Sequence, residues 1–161
     1  MIIRPSVGGD DAAIGRIITP VIRAGETYAL PPSWTEAEAL AYWGSPGHTV
    51  FVADDGAVVG TYYIRPNQRA GGGGDHVANC AFVTAASATG RGVATAMCAH
   101  ALQCAAATGY RAMQFNFVVS TNARAVALWQ RFGFAIVGRL PGAFRHPALG
   151  RVDALVMYRT L

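Results

Sequence analysis

The chain has 161 residues and a mass of 16.9 kDa, which fits one domain over residues 1–161 with room for a buried core. Hydrophobic residues make up 52% and charged residues only 14%, against about 25% in an average protein, so intrinsic disorder is excluded. All 13 basic residues are Arg, so neither a lysine Schiff base nor a P-loop lysine is available to the chain. The net charge of +4 suits an anionic ligand, but the Arg residues are scattered and make no basic stripe, so no nucleic-acid partner is expected. No apolar run approaches the roughly 18–20 residues that span a bilayer, and MIIRPSVGGDDA lacks the apolar stretch of a signal peptide. The expectation is a soluble, cytoplasmic protein without a membrane partner.

Residues 2–5 read as a short strand. Asp10 or Asp11 can cap a helix running to about Arg23, with Ile14, Ile17, Ile18, Val21 and Ile22 on its apolar side and Pro20 as a kink or early stop. The stretch AGETYALPPS is loop. Thr35 and Glu38 have capping-box spacing, which opens a helix over 36–43. HTVFVA and AVVGTYYI, residues 48–53 and 57–64, read as a hairpin turned by Asp54-Asp55-Gly56. The loop RPNQRAGGGGD leads into a strand at 76–83 and not into a helix, so its glycines read as a hairpin loop and not a phosphate cradle.

Thr89 to Gly92 then open a long Ala-rich helix that Gly109 ends. A strand over 112–119 follows, then a helix with Ser120 or Asn122 near its cap, a strand over 134–138, a loop PGAFRHPALGR, and a last strand over 152–158. The order β-α-α-β-β-β-α-β-α-β-β describes a mixed α/β sheet with helices on both faces.

Three cysteines, Cys80, Cys98 and Cys104, include no CxxC, and the four histidines lack ligand spacing. No disulfide framework and no metal are expected. The helix opening Thr89-Gly90-Arg91-Gly92-Val93-Ala94 has small residues that let a ligand approach the backbone, and its first N–H groups are unpaired. An anionic phosphate fits there. Neither GxGxxG nor a Walker A sequence is present.

Asn79 and Asn116 stand inside otherwise apolar strands. Buried amides are costly without partners, so a pocket shared by neighbouring strands explains them, as does a bond to local backbone. For a general base, the carboxylates not assigned to caps and turns are Glu26, Asp75 and Asp153, with His76 beside them. Water held by Asn side chains is the alternative. Arg145 and His146 precede the last strand and offer a contact for an acidic substrate or a partner subunit, or a solvated loop.

Two segments together resemble the GNAT (Gcn5-related) N-acetyltransferase family. Gly92 and Ala94 match the family's [QR]xxGx[GA] helix opening, and Asn122, Ala125, Leu128, Gly133 and Phe134 match its NxxAxxLYxxxGF segment. Thr89 departs from the usual Gln or Arg. Trp129 departs from the usual Tyr that protonates the leaving thiolate, and an indole N–H is a donor only.

The resemblance implies a GNAT fold, with a mixed central sheet of about seven strands flanked by about four helices. It implies acetyl-coenzyme A as co-substrate. The N–H groups of Arg91, Gly92, Val93, Ala94 and Thr95 would hold the pyrophosphate, and the strand near Phe82 and Val83 would pair with the pantetheine arm and polarise the thioester. Asn122 would contact the arm or the thiol end. Glu26 and Tyr28 fall in the loop that borders the acceptor site, and a homodimer through the C-terminal strands follows by analogy.

A narrower resemblance, over HVANCAF and QFNFVVSTNARAVALWQRFGF, is to the fungal azetidine-2-carboxylate N-acetyltransferases and their bacterial relatives. It implies that Asn79 and Asn116 hold a small substrate's carboxylate, that Phe82 is an apolar wall, and that Asn122 is catalytic. The expected activity is acetylation of a small-molecule amine, such as an amino acid or analogue, by direct attack in a ternary complex. A peptide N-acetyltransferase and a non-catalytic acyl-CoA-binding module are the competing readings, the latter motivated by Trp129.

Overall fold

A computed structural model describes all 161 residues. Seven strands form one sheet: β1 (Ile2–Pro5), β2 (Thr49–Asp54), β3 (Val58–Pro66), β4 (Val77–Thr84), β5 (Ala112–Val119), β6 (Ala135–His146) and β7 (Gly150–Thr160). Four helices flank it: α1 (Asp11–Ala24), α2 (Glu36–Trp43), α3 (Val93–Ala107) and α4 (Ala123–Arg131). The strand order is β1-β2-β3-β4-β5-β7-β6, with β4 and β5 parallel and the other neighbours antiparallel. The mixed sheet and the helix count match expectation. No helix is long and apolar enough to cross a membrane.

Alternation along the strands divides the core in two. Ile14, Ile18 and Ile22 of α1 and Ala39 and Trp43 of α2 pack on Val52, Tyr63 and Val83. Met97, Cys98 and Ala101 of α3 and Leu128 and Trp129 of α4 pack on Tyr62, Ile64, Ala78 and Cys80 on the opposite face. The Trp43 indole N–H donates to Thr61 Oγ1 at 3.1 Å, and Thr61 donates to the Phe51 carbonyl at 2.9 Å, so both buried polar groups are satisfied. At Gly60 of β3 a Cβ would stand 2.8 Å from Val93 Cγ1 and 3.0 Å from the Met97 thioether, so only glycine lets α3 lie this close.

Several local expectations need correction. Asp10 precedes α1 but makes no side-chain cap; its carboxylate takes the Arg4 guanidinium at 2.8 and 3.0 Å and the Val7 N–H at 2.9 Å. Pro20 does not shorten α1, which runs to Ala24 and stops at Gly25. The stretch PGAFRHPALGR is not a loop: β6 continues to His146, pairing with β7 down to His146–Gly150. Pro141 is accommodated because β6 is an edge strand and its register shifts between Leu140 and Phe144. Asp153 holds that bulge, accepting from the Gly142 N–H at 2.9 Å and from Arg139 at 2.8 Å.

Candidate active site

The parallel ladder between β4 and β5 is short, pairing only Val77 with Ala112 and Ala78 with Met113. Beyond it the strands part. The Asn79 Nδ2 bridges the gap by donating to the Gln114 carbonyl at 2.9 Å. On β5, one extra residue between Phe115 and Val118 makes a bulge that holds Asn116 and Phe117. Both readings of Asn79 therefore hold at once, since it bonds backbone and also faces a cavity.

That cavity, about 240 Å3, fills the gap. One end is walled by Tyr28, Tyr42, Tyr63, Arg65 and Asn79 on the α1/α2 face, and the other by Cys80, Phe82, Phe115, Ala125 and Trp129 on the α3/α4 face. Asn116 and Asn122 complete it. The passage thus crosses the sheet.

Hydrogen-bond register fixes what β4 offers to the gap. The Asn67 N–H donates to the Val77 carbonyl at 2.7 Å, and the Ala85 N–H donates to the Val59 carbonyl at 2.9 Å. Odd-numbered residues between them thus turn their main chain toward β3. Val83 is among these, so its backbone is spent in the sheet, and its side chain is buried against α1 and α2. Phe82 faces the gap. Its carbonyl accepts from the Tyr28 hydroxyl at 2.8 Å, and its N–H has no ladder partner.

The start of α3 lies just after the C-terminal end of β4. Gly92 takes φ 79° to open the helix, and no side chain caps it. The first N–H to be satisfied inside the helix is that of Ala96, which donates to the Gly92 carbonyl at 3.0 Å. Those of Gly92, Val93, Ala94 and Thr95 are left free. The Arg91 N–H instead donates to the Ala88 carbonyl at 3.2 Å, and the Arg91 guanidinium pairs with Asp55 at 2.5 Å. Arg91 is therefore not one of the free amides.

Amide chemistry sets the remaining polarity of the cavity. The Asn122 Oδ1 caps α4 by accepting from the Ala125 N–H at 3.3 Å, which leaves its Nδ2 as an unpaired donor. The Asn79 Nδ2 gives one of its two N–H groups to the Gln114 carbonyl, which leaves the second N–H and the Oδ1 without a partner on a residue only 7% exposed. Asn116 donates one N–H to Asn67 Oδ1 at 2.7 Å and accepts from Gln114 Nε2 at 2.8 Å, which leaves its second N–H free.

The residues expected to supply a base do not meet here. Glu26, Asp75 and His76 are exposed and outside the cavity, Asp153 belongs to the β6 bulge, and His146 Nδ1 accepts from the Ala148 and Leu149 N–H groups in the β6–β7 turn. No carboxylate and no imidazole lines the cavity. Burial pushes the Tyr28 and Tyr63 phenols up, so both stay protonated, and it pushes the Cys80 thiol well up. Trp129 packs on Phe82 and Phe115 with ring centroids 5.1 and 5.0 Å apart. Thr27 to Leu30 border the acceptor end, whereas residues 141–150 do not reach it.

The site thus combines a parted parallel strand pair, a cavity that crosses the sheet between them, and an uncapped helix start. The acetyltransferase (GNAT) family model matches residues 21–134, and the chain belongs to that family of acyltransferases. It is 30% identical over 101 residues to the N-acetyltransferase aca1 of Schizosaccharomyces pombe, a match covering 62% of this chain and 47% of the yeast protein, so the chain spans about half the length of that relative. A Gcn5-related N-acetyltransferase from Kribbella flavida is 41% identical, with TM-score 0.91, covering 99% of this chain and 97% of its own. The structure of yncA from Salmonella typhimurium with acetyl-CoA shares the fold at 20% identity and TM-score 0.86, covering 100% of this chain and 94% of its own.

Proposed function

We propose that residues 1–161 act as one N-acetyltransferase domain that moves the acetyl group of acetyl-CoA to the amine of a small molecule, such as an amino acid or analogue. The observation that carries this is the gap between β4 and β5, where a largely apolar cavity with a few polar groups crosses the sheet, together with the free amides of α3 just beyond the end of β4. The residues present fit the coenzyme. Four consecutive unpaired N–H groups suit a pyrophosphate, and a Cβ built at Gly92 would meet nothing within 4 Å, so the cradle is open.

In this reading Gly92 to Thr95 hold the diphosphate, and the free edge of β4 pairs with the pantetheine amides as an added strand would. Acetyl-CoA supplies an activated acyl carbon and a thiol leaving group. The Phe82 N–H stabilises charge developing on the acyl oxygen. The Asn122 Nδ2 donates to the pantetheine arm or the thiol end, and Trp129 and Phe82 form the apolar wall beside it. Direct attack by the amine is favoured because Cys80, the one thiol in the wall, is held protonated by burial. The proton of the attacking amine passes to water, since no basic side chain is at hand, and the departing thiolate takes its proton from water.

The cavity's modest volume supports a small acceptor over a peptide. A homodimer belongs to the same proposal: β6 is an edge strand that exposes Ile136, Val137 and Leu140. The test follows free thiol from acetyl-CoA with a panel of amines and weighs the intact protein afterwards. Amine-dependent thiol release with no acetyl adduct on the protein is expected. Coenzyme binding without turnover on any amine would instead identify a binding module.

A further inference from the structure

Arg65 is the one charged side chain in the cavity wall. It is the last Arg before the glycine loop whose side chain faces inward, and its placement is specific. Its Nη1 donates to the Pro66 carbonyl at 3.0 Å and the Asn67 carbonyl at 3.4 Å, which fixes the guanidinium without neutralising it. Arg4, Arg91 and Arg139 all pair with aspartates; Arg65 has no acidic partner. A half-buried, oriented and unpaired guanidinium calls for an anion, and its planar fork suits a carboxylate.

Arg65 and Asn79 are directly opposed across β3 and β4, in a hydrogen-bonded pair, so their side chains leave the same face side by side. Their chemistry is complementary. Arg65 offers only donors, and Asn79 adds the free acceptor, its Oδ1, beside one remaining N–H. Asn116 keeps one free N–H beyond its bonds to Asn67 and Gln114. Arg65 therefore brings the one full positive charge to the place where the sequence resemblance puts the carboxylate.

We propose that Arg65 selects the acceptor, gripping a carboxylate that lies one carbon from the amine, while the Asn79 Oδ1 accepts a hydrogen bond from that amine and turns its lone pair toward Phe82. The inference rests on the transferase reading and deepens it. A polyamine or aminoglycoside acceptor is disfavoured on the same ground, because a second cation would meet Arg65 with no carboxylate to offset it.

The test uses calorimetry on the full chain saturated with coenzyme A, titrated with L-alanine, L-proline and L-methionine, each against its own carboxamide. At least one acid is expected to bind about tenfold or more tightly than its amide. In Arg65→Met that ratio falls to about one, while Arg65→Lys keeps part of it. Where the wild type turns over, the loss appears in KM for the acid, with kcat changed far less and the amide unaffected. Thermal melting confirms that both variants fold. Equal binding of every acid and amide, or an acid preference that survives in Arg65→Met, overturns the assignment of Arg65. Failure of the chain to bind acetyl-CoA, measured separately, overturns the transferase reading itself and the acceptor role with it.

Discussion

The Tyr28 hydroxyl donates to the Phe82 carbonyl at 2.8 Å, tying the loop after α1 to the unladdered edge of β4. The bond orients the peptide plane that precedes Val83 and fastens the loop beside the Phe82 N–H, the group proposed to face the acyl oxygen. Tyr28→Phe keeps the ring and its edge-on contact with Trp43 at 6.3 Å but leaves the carbonyl unpaired. The expected result is a loss of about 1 kcal/mol in urea unfolding and a larger proportional fall in kcat than in coenzyme affinity. An unchanged kcat would show that Tyr28 only closes the loop.

At Asn122 the cap can be separated from the proposed ligand contact. Asn122→Asp keeps the oxygen that accepts from Ala125 N–H and places a negative charge at a helix N-terminus, so stability holds. It removes the Nδ2 donor, and kcat/KM is expected to fall about tenfold or more. Asn122→Ala loses both, with about 1 kcal/mol of stability as well. Equal activity in the Asp variant and the wild type would remove Asn122 from the reaction.

At the start of α3, Gly92→Ala forces a Cβ onto a residue at φ 79°, a strain of about 1–2 kcal/mol. The added methyl meets nothing within 4 Å, so the cost is conformational and the turn relaxes. Calorimetry with coenzyme A is expected to show weaker binding by several-fold, while the acid-to-amide ratio of bound acceptors is unchanged.

The pH dependence follows from the missing base. With no carboxylate or imidazole in the wall and with Tyr28 and Tyr63 held protonated, the amine must arrive neutral. Its neutral fraction rises about tenfold per pH unit below its own pKa. The rate with subsaturating acceptor should therefore climb with a slope near one, and the break should move when a more acidic amine is used. A break fixed at one pH for two amines of different basicity would reveal an ionising residue in the protein.

Acid sensitivity of the fold has a separate origin. Arg4 lies between Asp10 and Asp54 and, with the Val7 N–H, holds the Asp10 carboxyl below the usual range. A depressed folded-state pKa contributes stability above the unfolded value near about 3.9, which is lost as pH falls through the lower folded value. Urea midpoints should drop across that acid window, and Asp10→Asn should flatten part of the drop.

Local pattern carried most of the architecture. Capping-box spacing placed α2 at Glu36, and alternating or apolar runs placed β2 to β5 within a residue or two. The far half of β6 was hidden because Pro141 and Gly142 read as loop, while an edge strand with a bulge tolerates both. Asn79 and Asn116 were visible as polar residues in apolar strands; which of their atoms are free depends on Gln114 and Asn67, which pattern cannot pair with them. Arg65 was missed because the strand was expected to end at Ile64. Continuing the alternation by one step, with Arg65 on the side of Tyr63, would have found it. Glu26 shows the converse, since its loop borders the cavity but its own side chain points to solvent.

Gly60 makes no bond to any ligand in this scheme, yet it is the notch into which Val93 and Met97 settle. A side chain there would lever the head of α3 off the sheet and scatter the row of amides that begins at Gly92. Mutant libraries sorted for coenzyme retention should therefore return hits at position 60 alongside the cradle itself, marking a spot in the packing whose damage is felt one helix away.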